Sequence, residues 1–516
     1  MLSKIYSAQI LGLGVHIVEV ETDISRGIKS FNIVGLPDKA VEEAKDRINA
    51  AIKNSGLVPP NKGNKKTVVS LAPADVKKEG PIFDLAIALG SLLASGQIAF
   101  NPKGKIFIGE LALDGEIRPI KGTVLIAKEA KRSGFKEIYT PAKNASEAAL
   151  VDGIKVYGCK NFKEVIEHLD ETPTKEEKNK PIKIEATPKV NITKRSKKTC
   201  TDFSEIKGQE TAKRGLEIAA AGGHNMIMYG PPGTGKTMLA KALAGILPPL
   251  DENDALEVTS IYSASGILDD IVSDPPFRNP HHTSSYISLV GGGTWPKPGE
   301  ITLAHHGVLF LDEFPEFEKR VIESLRQPLE DKIVTISRAK GTMRFPADFI
   351  LIAAMNPCPC GNRGSDKKEC ICSQGAIMNY QRKISGPIAD RIDIWVEVPA
   401  IEYKKLSEKS DEKEISPSIQ ERVGKARSRQ KERFNKLGLE GMKTNSQMGT
   451  KEVKNFCPLS ESLTSLLNMS AEKLMMSPRA YFRVIKLART IADLDNSENI
   501  EERHLLEALQ YRPKAE

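Results

Sequence analysis

The chain has 516 residues, with 40% hydrophobic and 28% charged side chains and a formal net charge of +8. This length allows two or three domains with separate cores, and the lack of any apolar run of about 18 residues excludes a membrane-spanning helix. The seven cysteines do not suit the disulfide scaffold of a small secreted protein, so we expect a cytoplasmic protein with reduced or metal-bound thiols. The mild positive charge is compatible with nucleic-acid binding but does not indicate it alone.

Predicted strands and helices alternate in the first part of the chain. Apolar periodicity predicts strands over 15–20, 30–34 and 67–71 and helices over 39–54 and 83–95. These elements predict an α+β domain, which we assign to residues 1–169. Residues 170–200 are rich in Lys, Glu, Pro and Thr and predict a flexible linker. Its basic end, Lys194 to Lys198, either is solvated or contacts a phosphate backbone.

A glycine-rich loop between a short apolar strand, 225–229, and a predicted helix is the clearest chemical signal in the chain. The loop consists of Gly230, Pro231, Pro232, Gly233, Thr234, Gly235, Lys236 and Thr237. Glycines in this pattern let backbone N–H groups point at the β- and γ-phosphates of a nucleotide, and the helix start adds its positive dipole end. Lys236 adds a positive charge, and Thr237 offers a hydroxyl ligand for Mg²⁺. The loop therefore predicts a nucleoside triphosphate site.

Two later strands end in polar residues that suit the same site. Strand 307–311 leads into Asp312 and Glu313, and strand 349–354 leads to Asn356. Open α/β sheets bind ligands at the carboxyl ends of their strands. We therefore expect Asp312 to join the Mg²⁺ ligands, Glu313 to activate a water molecule and Asn356 to orient it. Ordinary strand-end capping would explain any one of these residues taken alone.

Clusters of cysteine and histidine raise the question of a metal. Four cysteines follow the third strand, namely Cys358, Cys360, Cys370 and Cys372. They can hold a structural Zn²⁺ with no open coordination position, or they can be four reduced thiols that pack the loop. The pairs His281–His282 and His305–His306 suit hydrogen bonding better than a metal, because adjacent side chains on regular structure diverge.

Arginines and a helical region complete the second half of the chain. Phosphoryl transfer often uses an arginine supplied from outside the pocket. Arg391, just before the predicted strand 394–398, is the first candidate, and Arg479, at the start of a predicted helix, is the second. Each could instead be a surface ion-pair partner. Residues 201–400 predict the α/β core, and 401–516 predict a helical lid that carries Arg479 onto the nucleotide.

Five motifs in the core carry a resemblance to one family. They span residues 276–282, 290–293, 298–305, 311–317 and 355–361. With them the chain resembles the AAA+ ATPases of the magnesium-chelatase clade, and within it the YifB/ComM family, almost from end to end. The resemblance implies ATP and Mg²⁺ as cofactors and a homo-oligomeric, usually hexameric, ring with ATP at each subunit boundary.

The resemblance also implies a role for each candidate residue. Lys236 and Thr237 match Walker A and Asp312 and Glu313 match Walker B, while Asn356, Arg391 and Arg479 match sensor 1, the arginine finger and sensor 2. An insertion is expected over 262–300, with Lys297 directed at a ring pore. A predicted hairpin over 333–345 places Arg338, Lys340 and Arg344 either along a nucleic-acid channel or on a solvated edge.

The N-terminal domain resembles the proteolytic domain of the Lon proteases, which use a serine nucleophile and a lysine base. The serine would follow Gly80–Pro81, where Ile82 stands, and the lysine position aligns with Val124. Aliphatic side chains can neither attack a carbonyl nor take up a proton. We therefore expect a Lon-like fold without peptidase activity.

Two functions are compatible with these motifs. The family resemblance implies an ATP-driven DNA helicase or branch-migration motor, which acts on single-stranded or branched DNA with recombination partners in natural transformation. The alternative is a chelatase-like ATPase that remodels a protein partner and uses the Lon-like domain as an adaptor. The ATPase residues serve both functions equally.

Overall fold

The structure is a computed structural model that describes residues 2–60, 62–172, 183–190, 201–293, 296–338, 341–364, 368–400, 415–439 and 441–513. The chain divides into two compact units. The first comprises Met1–Lys194 with Ala255–Val272, and the second comprises Arg195–Asp254 with Ser273–Glu516. Lys340 and the basic run from Lys194 to Lys198 lie outside the described residues. None of the helices within the described ranges has the length and apolar character needed to cross a membrane.

The first unit combines strands and helices, as the apolar periodicity predicts. Its strands are β1 (Leu2–Leu11), β2 (Gly14–Arg26), β3 (Ser30–Val34), β4 (Lys65–Ala72), β5 (Lys105–Phe107), β6 (Glu110–Leu111), β7 (Ile117–Arg118), β8 (Glu137–Pro141) and β9 (Lys155–Cys159). Its helices are α1 (Lys39–Asn54), α2 (Asp84–Ala94), α3 (Thr123–Arg132), α4 (Ala145–Ala148) and α5 (Phe162–Leu169). The strands form a four-stranded sheet in the order β1-β2-β4-β3, a parallel sheet β5-β8-β9 and the pair β6-β7.

Helix α1 shows how local sequence sets these elements. The Asp38 side chain caps its start by accepting a hydrogen bond from the Val41 N–H at 2.9 Å. Val41, Ala44, Ile48 and other apolar residues at helical spacing are buried in the core. The predicted strands and helices of this unit are therefore confirmed.

Part of the predicted linker contacts the first unit. The Thr187 N–H donates to the Val156 carbonyl at 2.8 Å, and Ala186 pairs with Tyr157 of β9. Residues 183–190 therefore pack beside β9, which differs from the flexible chain expected there. The domain boundaries at residues 169, 200 and 400 stay a prediction.

The second unit is built on a parallel sheet. Its strands are β10 (Met226–Tyr229), β11 (Phe277–Arg278), β12 (Gly291–Gly292), β13 (Lys297–Pro298), β14 (Val308–Leu311), β15 (Ile333–Arg338), β16 (Gly341–Pro346), β17 (Ile350–Met355) and β18 (Ile394–Glu397). Five of these strands are parallel, in the order β11-β14-β17-β10-β18. Strand β17 pairs Met355 with Tyr229 on one side and Ala353 with Leu311 on the other. The carboxyl ends of β14, β17 and β10 are therefore neighbours.

Helices surround this sheet and extend to the end of the described chain. They are α6 (Glu210–Gly222), α7 (Lys236–Ile246), α9 (Tyr286–Val290), α10 (Glu300–Leu303), α11 (Lys319–Ser324), α12 (Arg326–Asp331), α13 (Gln374–Gln381), α14 (Gly386–Ala389), α15 (Ser416–Asn435), α16 (Thr450–Phe456), α17 (Glu461–Lys473), α18 (Pro478–Leu494) and α19 (Glu502–Gln510). Apolar residues of α18, such as Val484 and Leu487, lie in the same core as Ile352 and Val396 of the sheet. The C-terminal helices therefore share the core of the sheet.

The predicted hairpin is present, whereas residues 262–300, expected to form an insertion, include strand β11 of the parallel sheet. Strands β15 and β16 form an antiparallel hairpin, and β12 and β13 form a shorter antiparallel pair within residues 262–300. Helix α8 (Glu252–Ser265) starts in the second unit and ends in the first. Residues 255–272 thus belong to the N-terminal unit, although they lie in sequence between two strands of the parallel sheet.

Candidate functional site

The phosphate loop lies between the end of β10 and the start of α7, as predicted. Gly233 and Gly235 have φ angles of 75° and 90°, which favour glycine. A Cβ atom at Gly230 would lie 2.1 Å from the Val398 carbonyl oxygen of the neighbouring segment. Close backbone packing and left-handed conformations thus explain the glycines of this loop.

Lys236 holds the loop and joins it to the strand end beside it. Its Nζ donates to the carbonyl oxygens of Gly230 and Pro231 at 2.7 and 2.8 Å and lies 3.4 Å from Asn356 Oδ1. The side chain is buried, and this burial lowers the pKa of Lys236. The structure thereby brings together Lys236, from the phosphate loop, and Asn356, which follows strand β17.

The side chains of Thr237 and Asp312 are also in contact, although they lie far apart in the sequence. Thr237 Oγ1 donates to Asp312 Oδ2 at 2.8 Å. A hydroxyl and a carboxylate oxygen side by side fit Mg²⁺, which prefers oxygen ligands and keeps several waters when it bridges protein and phosphate. These two residues could hold the ion, and bound Mg²⁺ would neutralise the charge of the phosphates.

Glu313 has an unusual backbone and a partner that the sequence did not reveal. Its φ and ψ angles are 52° and 43°, a left-handed conformation that costs free energy in a non-glycine residue and occurs often at functional sites. Its carboxylate lies 2.9 Å from Nδ1 of His282, and about half of the Glu313 side chain is exposed. Nδ1 of His281, by contrast, lies 2.8 Å from Thr283 Oγ1. Hydrogen bonding by the histidine pair was predicted, but its partner Glu313 was not.

The two candidate arginines lie together on one acidic residue. Arg391 is buried; its Nη1 donates to the Pro387 carbonyl at 2.6 Å, and its Nη2 contacts Glu330. Arg479 is exposed, and its Nη2 lies 3.2 Å from the other carboxylate oxygen of Glu330. Both arginines make the ion pairs that were the alternative interpretation. Arg479 thus contacts Glu330 in this structure, and its predicted role at the nucleotide stays a prediction.

Strand β18 and helix α18 are connected near these arginines. Arg483 donates to Asp393 Oδ1 at 2.5 Å and to the Arg391 carbonyl at 3.1 Å. Burial alone would raise the pKa of Asp393, but Arg483 and His224 hold it well below its usual range. The backbone that carries Arg391 is therefore anchored by the ion pair between Arg483 and the buried Asp393.

The four clustered cysteines converge. Their Sγ atoms all lie within 4.8 Å of one another. Cys358 Sγ is 3.4 Å from Cys360 Sγ and 3.6 Å from Cys370 Sγ, and the latter two are 3.7 Å apart. The Arg363 N–H donates to Cys358 Sγ at 3.4 Å.

The positions expected to carry a peptidase dyad are part of the core of the first unit. Ile82 and Val124 are both buried. The Val124 N–H donates to Glu147 Oε1 at 3.2 Å, so its backbone serves the packing of α3 against α4. These positions contribute apolar packing.

Family models and similar proteins match this chain along nearly its whole length. Models described as magnesium chelatase, subunit ChlI, as subunit ChlI of Mg-chelatase and as the ChlI C-terminal region match residues 202–406, 20–144 and 413–512. Competence protein ComM of Haemophilus influenzae is 41% identical over 519 aligned residues, covering 99% of this chain and 97% of ComM. YifB of Escherichia coli is 40% identical over 515 residues, with the same coverage of 99% and 97%. The chain belongs to the YifB/ComM family.

As a YifB/ComM family member, the protein contains a magnesium-chelatase-like AAA+ α/β domain with a parallel sheet, and this membership implies ATPase activity with ATP and Mg²⁺. A more distant similarity is to Lon protease 2 of Bacillus subtilis, 29% identical over 183 residues, which cover 30% of this chain and 33% of that protease. The family prediction made from the sequence motifs is confirmed.

Proposed function

We propose that this YifB/ComM family member is a Mg²⁺-dependent ATP hydrolase that assembles into a hexameric ring and acts as a motor on DNA. The ATPase site is supported by two side-chain contacts at one edge of the sheet, between Lys236 and Asn356 and between Thr237 and Asp312. Lys236 and Thr237 would bind the phosphates and Mg²⁺, and Glu313 would take a proton from the attacking water. These residues act by position and charge, since phosphoryl transfer needs little covalent chemistry from the protein.

Two observations support DNA as the substrate: the similarity to a protein named for competence and the presence of exposed basic side chains on two hairpins. Lys297 on the β12–β13 hairpin and Arg344 on the β15–β16 hairpin are both exposed. Cations on hairpins that face a ring channel would follow a nucleic-acid backbone. The substrate would be single-stranded or branched DNA during recombination or natural transformation, with recombination proteins as partners in the cytoplasm.

ATP hydrolysis, measured with and without a forked DNA, tests this function. We expect DNA to stimulate hydrolysis, binding to weaken steeply with salt, and ATP-dependent strand separation. Lys236→Ala should abolish ATP binding, whereas Glu313→Gln should keep binding and lower hydrolysis by about 100-fold. Arg344→Ala should reduce only the DNA-stimulated rate. Absence of both DNA binding and DNA stimulation would refute the DNA motor.

The second candidate is a remodelling ATPase for a protein partner, with a Lon-like N-terminal domain as adaptor and the C-terminal helices as the lid. The buried aliphatic residues Ile82 and Val124 at the dyad positions support an adaptor without peptidase activity. Incubation with ATP and an unfolded protein should give no peptide products. ATP-dependent cleavage would contradict this proposal.

We further propose that the four cysteines bind a structural Zn²⁺. With Zn–S bonds of about 2.3 Å, sulfur atoms at the corners of a tetrahedron lie about 3.8 Å apart, close to the observed 3.4–3.7 Å. Metal analysis should find one zinc ion per chain, lost when all four cysteines are changed to serine and kept in the control Cys457→Ser. A metal-free protein with four titratable thiols would overturn the proposal.

A further inference from the structure

The four-cysteine cluster, formed by Cys358, Cys360, Cys370 and Cys372, begins directly after the strand end that carries Asn356. Cys358 follows Asn356 with only Pro357 between them, and its Sγ lies 3.4 Å from Cys360 Sγ. Asn356 Oδ1 in turn lies 3.4 Å from Lys236 Nζ in the phosphate loop. Because so short a piece of backbone joins Cys358 to Asn356, the position of the cluster constrains the position of Asn356.

The turn at the start of the cluster packs against the phosphate loop. The Gly361 N–H donates to the Cys358 carbonyl at 3.0 Å, and Gly361 has a φ angle of 77°. A Cβ atom at Gly361 would lie 2.9 Å from Pro232 Cδ, which is closer than two such atoms approach without displacement. The cluster is therefore connected to the phosphate loop through the contact of Gly361 with Pro232 as well as through Asn356.

The far end of the cluster leads back to the same strand end. Cys372 directly precedes Ser373, whose Oγ accepts a hydrogen bond from the Ala376 N–H at 3.3 Å and caps helix α13. Tyr380 of this helix is buried, and its hydroxyl interacts with the Asn356 backbone. The backbone before the cluster and the helix after it thus both contact Asn356.

We propose that the four cysteines, closed by a bound Zn²⁺, position Asn356 and the phosphate loop for ATP hydrolysis. This inference rests on the proposed ATPase function and on the proposed metal site. The cysteines are positioning residues, because an ion with four protein ligands keeps no open position for a water or a phosphate. Four metal–sulfur bonds hold the turn at Gly361 and the start of α13 together, and through them the two parts of the nucleotide site.

Removal of the metal from the full chain tests this role. With a chelator that binds Zn²⁺ and leaves Mg²⁺ in place, we expect kcat for ATP hydrolysis to fall about 100-fold, as for a reacting group misplaced by about 1 Å. Added Zn²⁺ should restore the rate. An unchanged kcat in protein shown by metal analysis to be metal-free would overturn the inference, while its hydrolysis still supports the ATPase function. A wild-type protein without ATPase activity would overturn the proposed function and this inference with it.

Two glycine variants separate positioning from folding, because both keep all four cysteines. Gly361 and Gly364 have φ angles of 77° and 75°, so alanine adds similar backbone strain at either position. A Cβ at Gly364, however, meets nothing within 4 Å. We therefore expect Gly361→Ala to displace Pro232 and raise the half-saturating ATP concentration about tenfold, and Gly364→Ala to stay close to the wild type.

Zinc content and the ATP dependence of hydrolysis are measured for both glycine variants. The inference expects one zinc ion per chain in each variant and a changed ATP dependence in Gly361→Ala alone. Equal saturation curves for the two variants would overturn the coupling between the cluster and the phosphate loop, while hydrolysis by the wild type still supports the ATPase function.

Discussion

His282 and Glu313 show how single residues control the site. The imidazole holds the carboxylate at 2.9 Å, so the proposed base is engaged before any water is bound. Release of Glu313 would then have to precede its action on water. The strained backbone at Glu313 is consistent with a residue held by its surroundings in a defined position.

Removal of His282 should free this base. We expect His282→Ala to leave the affinity for ATP unchanged, because the phosphate loop is untouched, and to raise basal hydrolysis about fivefold through loss of the hydrogen-bonding contact between the imidazole and the carboxylate. Binding of a fluorescent nucleotide and steady-state hydrolysis measure the two effects. His281→Ala, which removes the contact with Thr283, is the control. A fall in hydrolysis in His282→Ala would mean that the histidine supports the base instead of restraining it.

At the scale of elements, Glu147 joins three parts of the first unit. Its carboxylate accepts hydrogen bonds from the Val124 N–H at the start of α3, from Asn144 Nδ2 and from Ser263 Oγ in the segment 255–272. The side chain is buried. Buried donors without an acceptor are costly, so this one residue secures the segment to the unit.

Glu147→Ala should therefore destabilise the protein by about 2 kcal/mol, measured as a shift in the denaturant midpoint. Hydrogen exchange should also become faster in residues 255–272, because Ser263 loses its partner. Glu147→Gln, which keeps an acceptor, should show a smaller shift, and the exposed neighbour Ser146→Ala should show none. An unchanged midpoint in Glu147→Ala would show that the segment is held by its apolar contacts.

Helix α18 contains a partly buried lysine, Lys486, that should make the stability of the protein depend on pH. Burial lowers the pKa of Lys486 from 10.5 to about 8. Between these pH values the unfolded chain binds more protons than the folded one, so stability should rise with pH across this window. Lys486→Met should raise the melting temperature at pH 7, and this gain should shrink as the pH rises above 8. Thermal unfolding from pH 7 to 10 measures the change in melting temperature, and the exposed Lys473→Met is the control. A gain that does not depend on pH would show that the lowered pKa of Lys486 is not its cause.

At the scale of the whole molecule, the chain crosses between its two units at residues 254 and 272. Leu256 and Ile271 pack against the core of the first unit. The ends of the crossing segment lie close together in the second unit, where the Leu250 N–H donates to the Ser273 carbonyl at 3.1 Å. The segment could therefore be removed with little change to the second unit.

A chain of residues 195–516 should be poorly soluble, because residues 255–272 lose the surface that buries their apolar side chains. Replacement of 255–272 by a short Gly/Ser linker between Asp254 and Ser273 should restore solubility and ATP binding. Soluble yield and nucleotide binding measure the outcome. A soluble, ATP-binding chain that retains 255–272 would show that the apolar side chains of this segment do not need to be buried against the first unit.

Features that depend on residues close in sequence were the ones that the sequence predicted best. The phosphate loop, the acidic strand end at Asp312, the β15–β16 hairpin and helix α1 all depend on residues close in sequence, so composition and spacing predicted them. The roles of Arg391 and Arg479 and the zinc at the cysteines stay predictions. Long-range pairs, such as His282 with Glu313, carry no local signal.

The sequence by itself determined the family, the parallel sheet that supports a nucleotide site and the residues offered to that site, because these follow from short motifs and strand ends. Only the tertiary structure decided that both arginines share Glu330, that His282 holds Glu313 and that residues 255–272 belong to the N-terminal unit. Each of these depends on contacts between segments far apart in the chain, whose free energies no local spacing encodes.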